Sequence, residues 1–205
     1  MRMKKGYFIT FEGAEGSGKS TQIKKAAAYL KKGGHKVVLL REPGGTRISE
    51  AIREIILNKT YGEMKPETEL LLYLAARAQI TREKIIPALK SGKIVISDRY
   101  EDSTLAYQGF GRGFKTASIE AVSRLFVRGS LKPNLTFVLD IDPAKGMKRG
   151  GRHDRMERQS LVFHRKVRRG FLTLAKREKK RFTVIDATLS IEEVAGKIRK
   201  KLDHV

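Results

Sequence analysis

The chain has no cysteine, no tryptophan and only four histidines in 205 residues, and its 22 Asp and Glu are outnumbered two to one by 44 Lys and Arg. Without cysteine there is no disulfide and no thiolate zinc site, and the histidines are too scattered for a metal-binding cluster. Any metal is therefore expected to be oxygen-bound. No apolar run reaches the roughly eighteen residues of a membrane span. The opening Met1-Arg-Met-Lys-Lys5 passes straight into a strand-like run, lacking the apolar core and cleavage site of a signal peptide, so a cytoplasmic location is expected. Pro/Gly/Ser-rich linkers, low-complexity stretches and internal repeats are also missing. One domain over residues 1–205 is expected.

What replaces the missing acids is a formal charge of +22. Charge of that size suggests an anionic partner such as nucleic acid or a membrane surface. Much of it lies between Lys145 and Arg181, where fifteen Lys and Arg face only Asp154, Glu157 and Glu178. A solvated basic helix face accounts for such a run; so do arginines that close over a triphosphate. No helix-turn-helix, RNA-recognition signature or zinc finger accompanies the charge, so nucleic acid is not the expected main partner. A basic nucleic-acid-binding NTPase remains the rival from another class.

Apolar runs at residues 7–11, 36–40, 94–97, 135–139 and 182–185 read as five buried parallel strands. Helical periodicity occupies residues 20–32, 47–57, 66–90, 116–128, 158–179 and 191–202. Alternation of the two predicts an α/β fold: a three-layer, doubly wound arrangement in which helices flank a five-stranded parallel sheet. Ligands then belong at the carboxyl ends of the strands.

Directly after the first strand comes Gly13-Ala14-Glu15-Gly16-Ser17-Gly18-Lys19-Ser20-Thr21, which matches G-x-x-x-x-G-K-[ST]. In such a phosphate loop, backbone amides turn inward around a phosphate chain, Lys19 adds a mobile positive charge and Ser20 offers a hydroxyl to Mg²⁺. A Gly-rich turn can match by chance, but here a strand precedes it and a helix follows, aiming its N-terminus at the phosphates. The second strand leads into Arg41-Glu-Pro43-Gly-Gly-Thr46, a proline and paired glycines that a tight turn alone would explain. The third leads into Asp98-Arg99-Tyr100-Glu-Asp-Ser103-Thr104-Leu-Ala-Tyr107-Gln108-Gly109. Asp98 there can hold Mg²⁺ through water while Arg99 forks onto a phosphate; alternatively the two form a structural ion pair. Ser103 is placed to cap a following helix.

Gly13 to Thr21, Glu42 to Thr46, Leu71-Leu-Tyr73-Leu-Ala-Ala-Arg77-Ala-Gln79 and Asp98 to Gly109, in this order and spacing, resemble the thymidylate kinases from about residue 7 to about residue 186. The resemblance implies a P-loop kinase fold with a short mobile lid, about residues 146–157. It also implies transfer of the ATP γ-phosphoryl to dTMP with Mg²⁺, in a homodimer without nucleic-acid or membrane partners. By the same resemblance, residues 13–21 bind ATP, and Glu15 contacts the 3′-hydroxyl of the acceptor sugar. Pro43, Tyr73, Arg77, Arg99, Thr104, Tyr107 and Gln108 contact the acceptor: Tyr73 stacks on thymine, Arg77 bonds the base, Arg99 holds the acceptor phosphate and Tyr107 crowds the 2′ position. Periodicity alone would place Tyr73 in the core. Ser20 and Asp98 serve the metal. The phosphate loop lacks the arginine that some members carry there, so the charge that stabilises the transferring phosphoryl must come from elsewhere. Lys148-Arg149-Gly-Gly-Arg152-His-Asp154-Arg155-Met-Glu157 resembles the lid of bacterial-type members, with Arg152 the first choice for this role ahead of Arg149 and Arg155. A kinase for another nucleoside monophosphate, or for a nucleoside with Glu15 or Glu12 as base, is the nearest alternative.

Overall fold

A computed structural model describes residues 6–149 and 154–205. The five apolar runs form strands β1 (Tyr7–Glu12), β2 (Val37–Arg41), β3 (Ile94–Asp98), β4 (Leu135–Asp140) and β5 (Phe182–Asp186). They pair in parallel in the order β2-β3-β1-β4-β5. Parallel neighbours require crossovers, and these are α1 (Lys19–Lys32), α2 (Arg47–Leu57), α3 (Pro66–Ile80), α4 (Ile86–Lys90), α5 (Glu101–Thr104), α6 (Thr116–Val122), α7 (Pro143–Arg149) and α8 (Leu161–Arg177). Helix α9 (Ile191–Leu202) follows β5. The predicted α/β class and five-stranded parallel sheet are therefore present.

Alternation along β1 divides the core. Ile9 and Phe11 face one layer with Ala26, Leu30, Val194 and Ile198 from α1 and α9. Phe8 faces the other, with Ile80, Ile85, Val95 and Tyr100. A third cluster joins Val138 to Phe163, Val167 and Phe171 of α8 and to Leu105 and Tyr107. Because both faces are covered, the strands carry nearly unbroken apolar sequence.

Sequence periodicity placed α2 and α9 at their observed limits, helped by caps that satisfy free amides. Thr46 accepts from the Ser49 amide, and Ser190 with Glu193 forms a capping box. The helix over 66–90 runs through a π-helical stretch at Thr81–Ile85, and that over 116–128 ends in another at Ser123–Arg128. Two helical pieces had no periodicity to reveal them: α7, and α5 with its π-helical continuation Leu105–Gly111.

β1 lies between β3 and β4, and the chain leaves β1 toward β2 on one side but leaves its neighbour β4 toward β5 on the other. Adjacent strands whose crossovers diverge open a crevice at their carboxyl ends. Glu15 to Gly18, after β1, and Asp98 and Arg99, at the end of β3, sit at that crevice.

Candidate active site

A cavity of about 340 Å³ occupies this position. Residues 15–21 form the loop part of its lining, and Arg41, Glu42, Pro43, Tyr73, Arg77, Asp98, Arg99, Thr104, Tyr107 and Gln108 line it as well. The loop and the acceptor-side residues picked from sequence thus meet in one space. Arg53, Leu57, Ser103, Asp154, Met156 and Glu157 also line it, and of these only Arg53 and Leu57 stood outside every quoted motif.

The loop end is built on α1, whose first residue is Lys19 behind a Gly18 at φ 85°. Lys19 is buried, and its ammonium donates to the carbonyls of Gly13 at 3.2 Å and Ala14 at 3.0 Å. Burial lowers its pKa first and the charge of Arg99 adds to that, while Glu15 opposes both. The same loop is pressed against α7 by two glycines: a Cβ on Gly16 would meet the Gly146 carbonyl oxygen at 2.0 Å.

Arg99 is the hub of the acceptor end. It is the only non-glycine residue at positive φ among those described, at 70°, a conformation that costs about 1–3 kcal/mol. Its surroundings hold it there. The Arg99 amide donates to the Phe11 carbonyl at 3.0 Å, the Ser97 hydroxyl donates to the Arg99 carbonyl at 2.8 Å, and the next amide, Tyr100, donates to Glu12 Oε1 at 2.8 Å. The guanidinium then points back across the crevice. It donates to the Gly13 carbonyl and to the Ser103 hydroxyl, both at 3.1 Å, pairs with Glu15, and lies over the Tyr107 ring at 5.1 Å. Burial would raise the Glu15 carboxyl, but Arg99 and then Lys19 outweigh it and pull the pKa down to about 2. Arg99 therefore pairs with Glu15, and not with the adjacent Asp98 as the alternative reading of that motif had it.

Ser103 is not a cap. Tyr100 occupies the N-cap of α5, and Ser103, inside the helix, donates its hydroxyl to Glu12 Oε2 at 2.5 Å. Glu12 is fully buried behind the wall. Burial first, and Asp102 next, push its carboxyl up to about 8.

Arg77 and Tyr73 lie one turn apart on α3, as their spacing of four predicts. Tyr73 is half-buried and opens on the cavity, neither solely core nor free. Arg77 is 2 % exposed and fully engaged: Nε donates to Glu42 at 2.6 Å, Nη1 to Thr104 at 2.7 Å and Nη2 to the Tyr100 carbonyl at 3.0 Å. Burial pushes the Glu42 carboxyl up against the pull of Arg77. Pro43 follows a cis bond, and its carbonyl accepts from Arg53 at 2.7 Å.

The basic segment divides. Arg149, at the end of α7, donates to the Ala187 carbonyl at 2.9 Å. Arg155 is buried and directed away from the cavity, toward Glu69 and the Ile56 carbonyl. Arg152, and residues 150–153 with it, lie outside the described residues. For metal, Ser20 and Asp98 are both at the cavity, a hard-oxygen pair that suits Mg²⁺. Among the described residues no three His, Asp or Glu converge, so such an ion would draw most of its oxygens from phosphate and water.

Comparison with known proteins agrees with this geometry. The family model described as thymidylate kinase matches residues 11–198. A thymidylate kinase of Geobacter sulfurreducens is 50 % identical over 93 % of this chain and 93 % of its own, and one of Kosmotoga olearia is 49 % identical over 95 % and 94 %. The crystal structure of thymidylate kinase from Ehrlichia chaffeensis superposes with a TM-score of 0.79 at 36 % identity, covering 97 % of this chain and 99 % of the other.

Proposed function

Because the chain belongs to the thymidylate kinase family, we propose that it binds ATP and dTMP at the two ends of this cavity and moves the γ-phosphoryl group onto the 5′-phosphate, giving dTDP and ADP. The observation that carries this reading is the joining of loop residues 15–21 with Tyr73, Arg77, Arg99, Tyr107 and Gln108 in one continuous space. A donor cradle alone would serve any nucleotidase; a second basic and aromatic end beside it fits an acceptor nucleotide.

The acceptor oxygen is already anionic near neutral pH, so the site needs alignment and charge neutralisation more than a base. Loop amides and Lys19 cradle the donor phosphates. Arg99 holds the acceptor phosphate, while Glu15, fixed by Arg99, meets the sugar. Ser20 and Asp98 would hold Mg²⁺, which when bound neutralises charge on the donor phosphates. With Arg155 engaged by Glu69, the positive charge for the transferring phosphoryl is assigned to Arg152, assisted by Arg149, in a lid about residues 146–157. A nucleoside acceptor would need a base at its 5′-hydroxyl. Glu15, held near 2, is a weak one, and Glu12 is sealed behind the wall.

Leu71, Leu125 and Phe126 are 62 %, 69 % and 72 % exposed on the packed pair of α3 and the 123–128 segment. An apolar surface there supports a homodimer. No helix of the described chain is long and apolar enough to cross a membrane, and free nucleotide substrates suit a cytoplasmic enzyme. A coupled assay for ADP release tests the assignment: turnover must depend on dTMP and fail with thymidine.

A further inference from the structure

We propose that Glu69 and Arg155 form a buried latch that seats the cavity-lining residues Asp154 and Met156 against the acceptor wall, which makes Arg155 a positioning residue for the acceptor nucleotide. This rests on the reading of that wall as a dTMP site.

Glu69 stands in the first turn of α3, four residues before Tyr73, yet its side chain is only 1 % exposed. Its Oε1 accepts from Gln108 Nε2 at 2.9 Å and from Arg112 Nε at 3.1 Å; its Oε2 accepts from Arg112 Nη2 at 2.9 Å. Arg155 Nη2 approaches the same Oε2 at 2.7 Å. One carboxylate therefore joins three parts of the chain: the acceptor helix, the turn that carries Tyr107 and Gln108, and the segment that follows residue 153. Burial raises the Glu69 carboxyl, but its bonds to Arg112 and Gln108 and the charges of Arg112 and Arg155 prevail and lower it.

Arg155 is fastened from both sides. Its Nε donates to the Ile56 carbonyl at 2.9 Å and its backbone amide to the Leu57 carbonyl at 3.2 Å, so it docks on the end of α2. Gln159 closes the ring, accepting from Arg112 at 3.0 Å and donating to the Arg155 carbonyl at 3.2 Å. The flanking Asp154 accepts from the amides of Met156 and Glu157, both at 2.8 Å, a tight turn that leaves Asp154 and Met156 on the cavity side while Arg155 points into the protein. Desolvated charges in such a ring fix geometry more than they add stability. Loss of Arg155 still leaves Glu69 paired with Arg112, so Arg155→Gln removes the latch without stranding a buried charge.

The test is steady-state kinetics together with calorimetric dTMP binding on the wild type, Arg155→Gln, Glu69→Gln and the double variant, each checked for a cooperative melt. Arg155→Gln is expected to raise the KM and Kd for dTMP about tenfold, with the KM for ATP within about twofold and kcat within about threefold. Glu69→Gln, which also loosens Gln108 and Arg112, should raise the KM and Kd for dTMP at least as much, and the double variant should be no worse than the poorer single, since Arg155 acts through Glu69. A hundredfold fall in kcat with unchanged dTMP binding would place Arg155 on the reacting phosphoryl group and overturn the proposal. So would effects that multiply in the double variant, or dTMP binding unaltered in both singles. If the wild type itself shows no dTMP-dependent turnover, the functional reading fails instead, whatever the variants do.

Discussion

At the scale of single residues, the site depends on charges held where water cannot screen them. Lys19 is buried against its own loop, ready to exchange the Gly13 and Ala14 carbonyls for donor phosphate. Lys19→Ala should lower kcat/KM by at least about a thousandfold in the ADP-release assay while leaving the melting temperature close to wild type. The two carboxylates of β1 and its loop respond to pH in opposite senses. Glu15, depressed from 4.5 to about 2, adds stability that is complete above its unfolded value and lost as pH falls through 2. Glu12, raised from 4.5 to about 8, adds stability that is complete below 4.5 and lost as pH rises through 8. Glu12→Gln cannot ionise, so between about pH 5 and pH 9 its Tm should fall less than that of the wild type in thermal melts. Parallel curves for the two proteins would show that Glu12 does not titrate in this window.

At the scale of elements, the phosphate loop is positioned by what packs behind it. Gly146 of α7 touches the Glu15 carbonyl so closely that a Cβ would stand 2.3 Å from it. Gly146→Ala must push the loop, and it should raise the KM for ATP roughly tenfold and cost about 1–3 kcal/mol in denaturant titration. Unchanged ATP kinetics would mean that the loop adapts freely. This contact was not legible in the sequence, where Gly146 is an unremarkable residue in a basic run. Legibility tracked burial pattern. α2 and α9 bury one stripe and carry polar caps, so spacing found both ends. α5 buries Glu101, Asp102, Ser103 and Thr104, whose partners Arg128, Arg181, Glu12 and Arg77 come from distant positions, so it shows no apolar period. Lys19, Arg99 and Tyr107 stood out because loop chemistry at a strand end is confined to few residue types. Arg53 and Leu57 did not, being ordinary members of a helix. Glu69 did not stand out at all, since an acid in the first turn of a helix is ordinary, and only the fold brings Gln108, Arg112 and Arg155 around it.

At the scale of the whole molecule, a net charge of +22 surrounds a crevice that takes two polyanions. Such a field concentrates nucleotides, so raising ionic strength from about 0.05 to 0.5 M should increase the KM for ATP and for dTMP severalfold, with kcat little changed. The apolar surface at Leu125 and Phe126 belongs to this scale too: light scattering should give twice the chain mass, and Phe126→Glu should shift it toward the monomer. The sheet order, the loop at β1 and the acceptor wall at β3 converge on one statement, that donor and acceptor nucleotides share a single cavity. The most direct test is ADP release with ATP against dTMP, dUMP, dCMP, dGMP and thymidine in parallel. The account predicts fastest turnover with dTMP, tolerance of dUMP, whose missing methyl weakens a pocket by only about 1–3 kcal/mol, and none with thymidine; phosphorylation of thymidine at a rate equal to that of dTMP would contradict it.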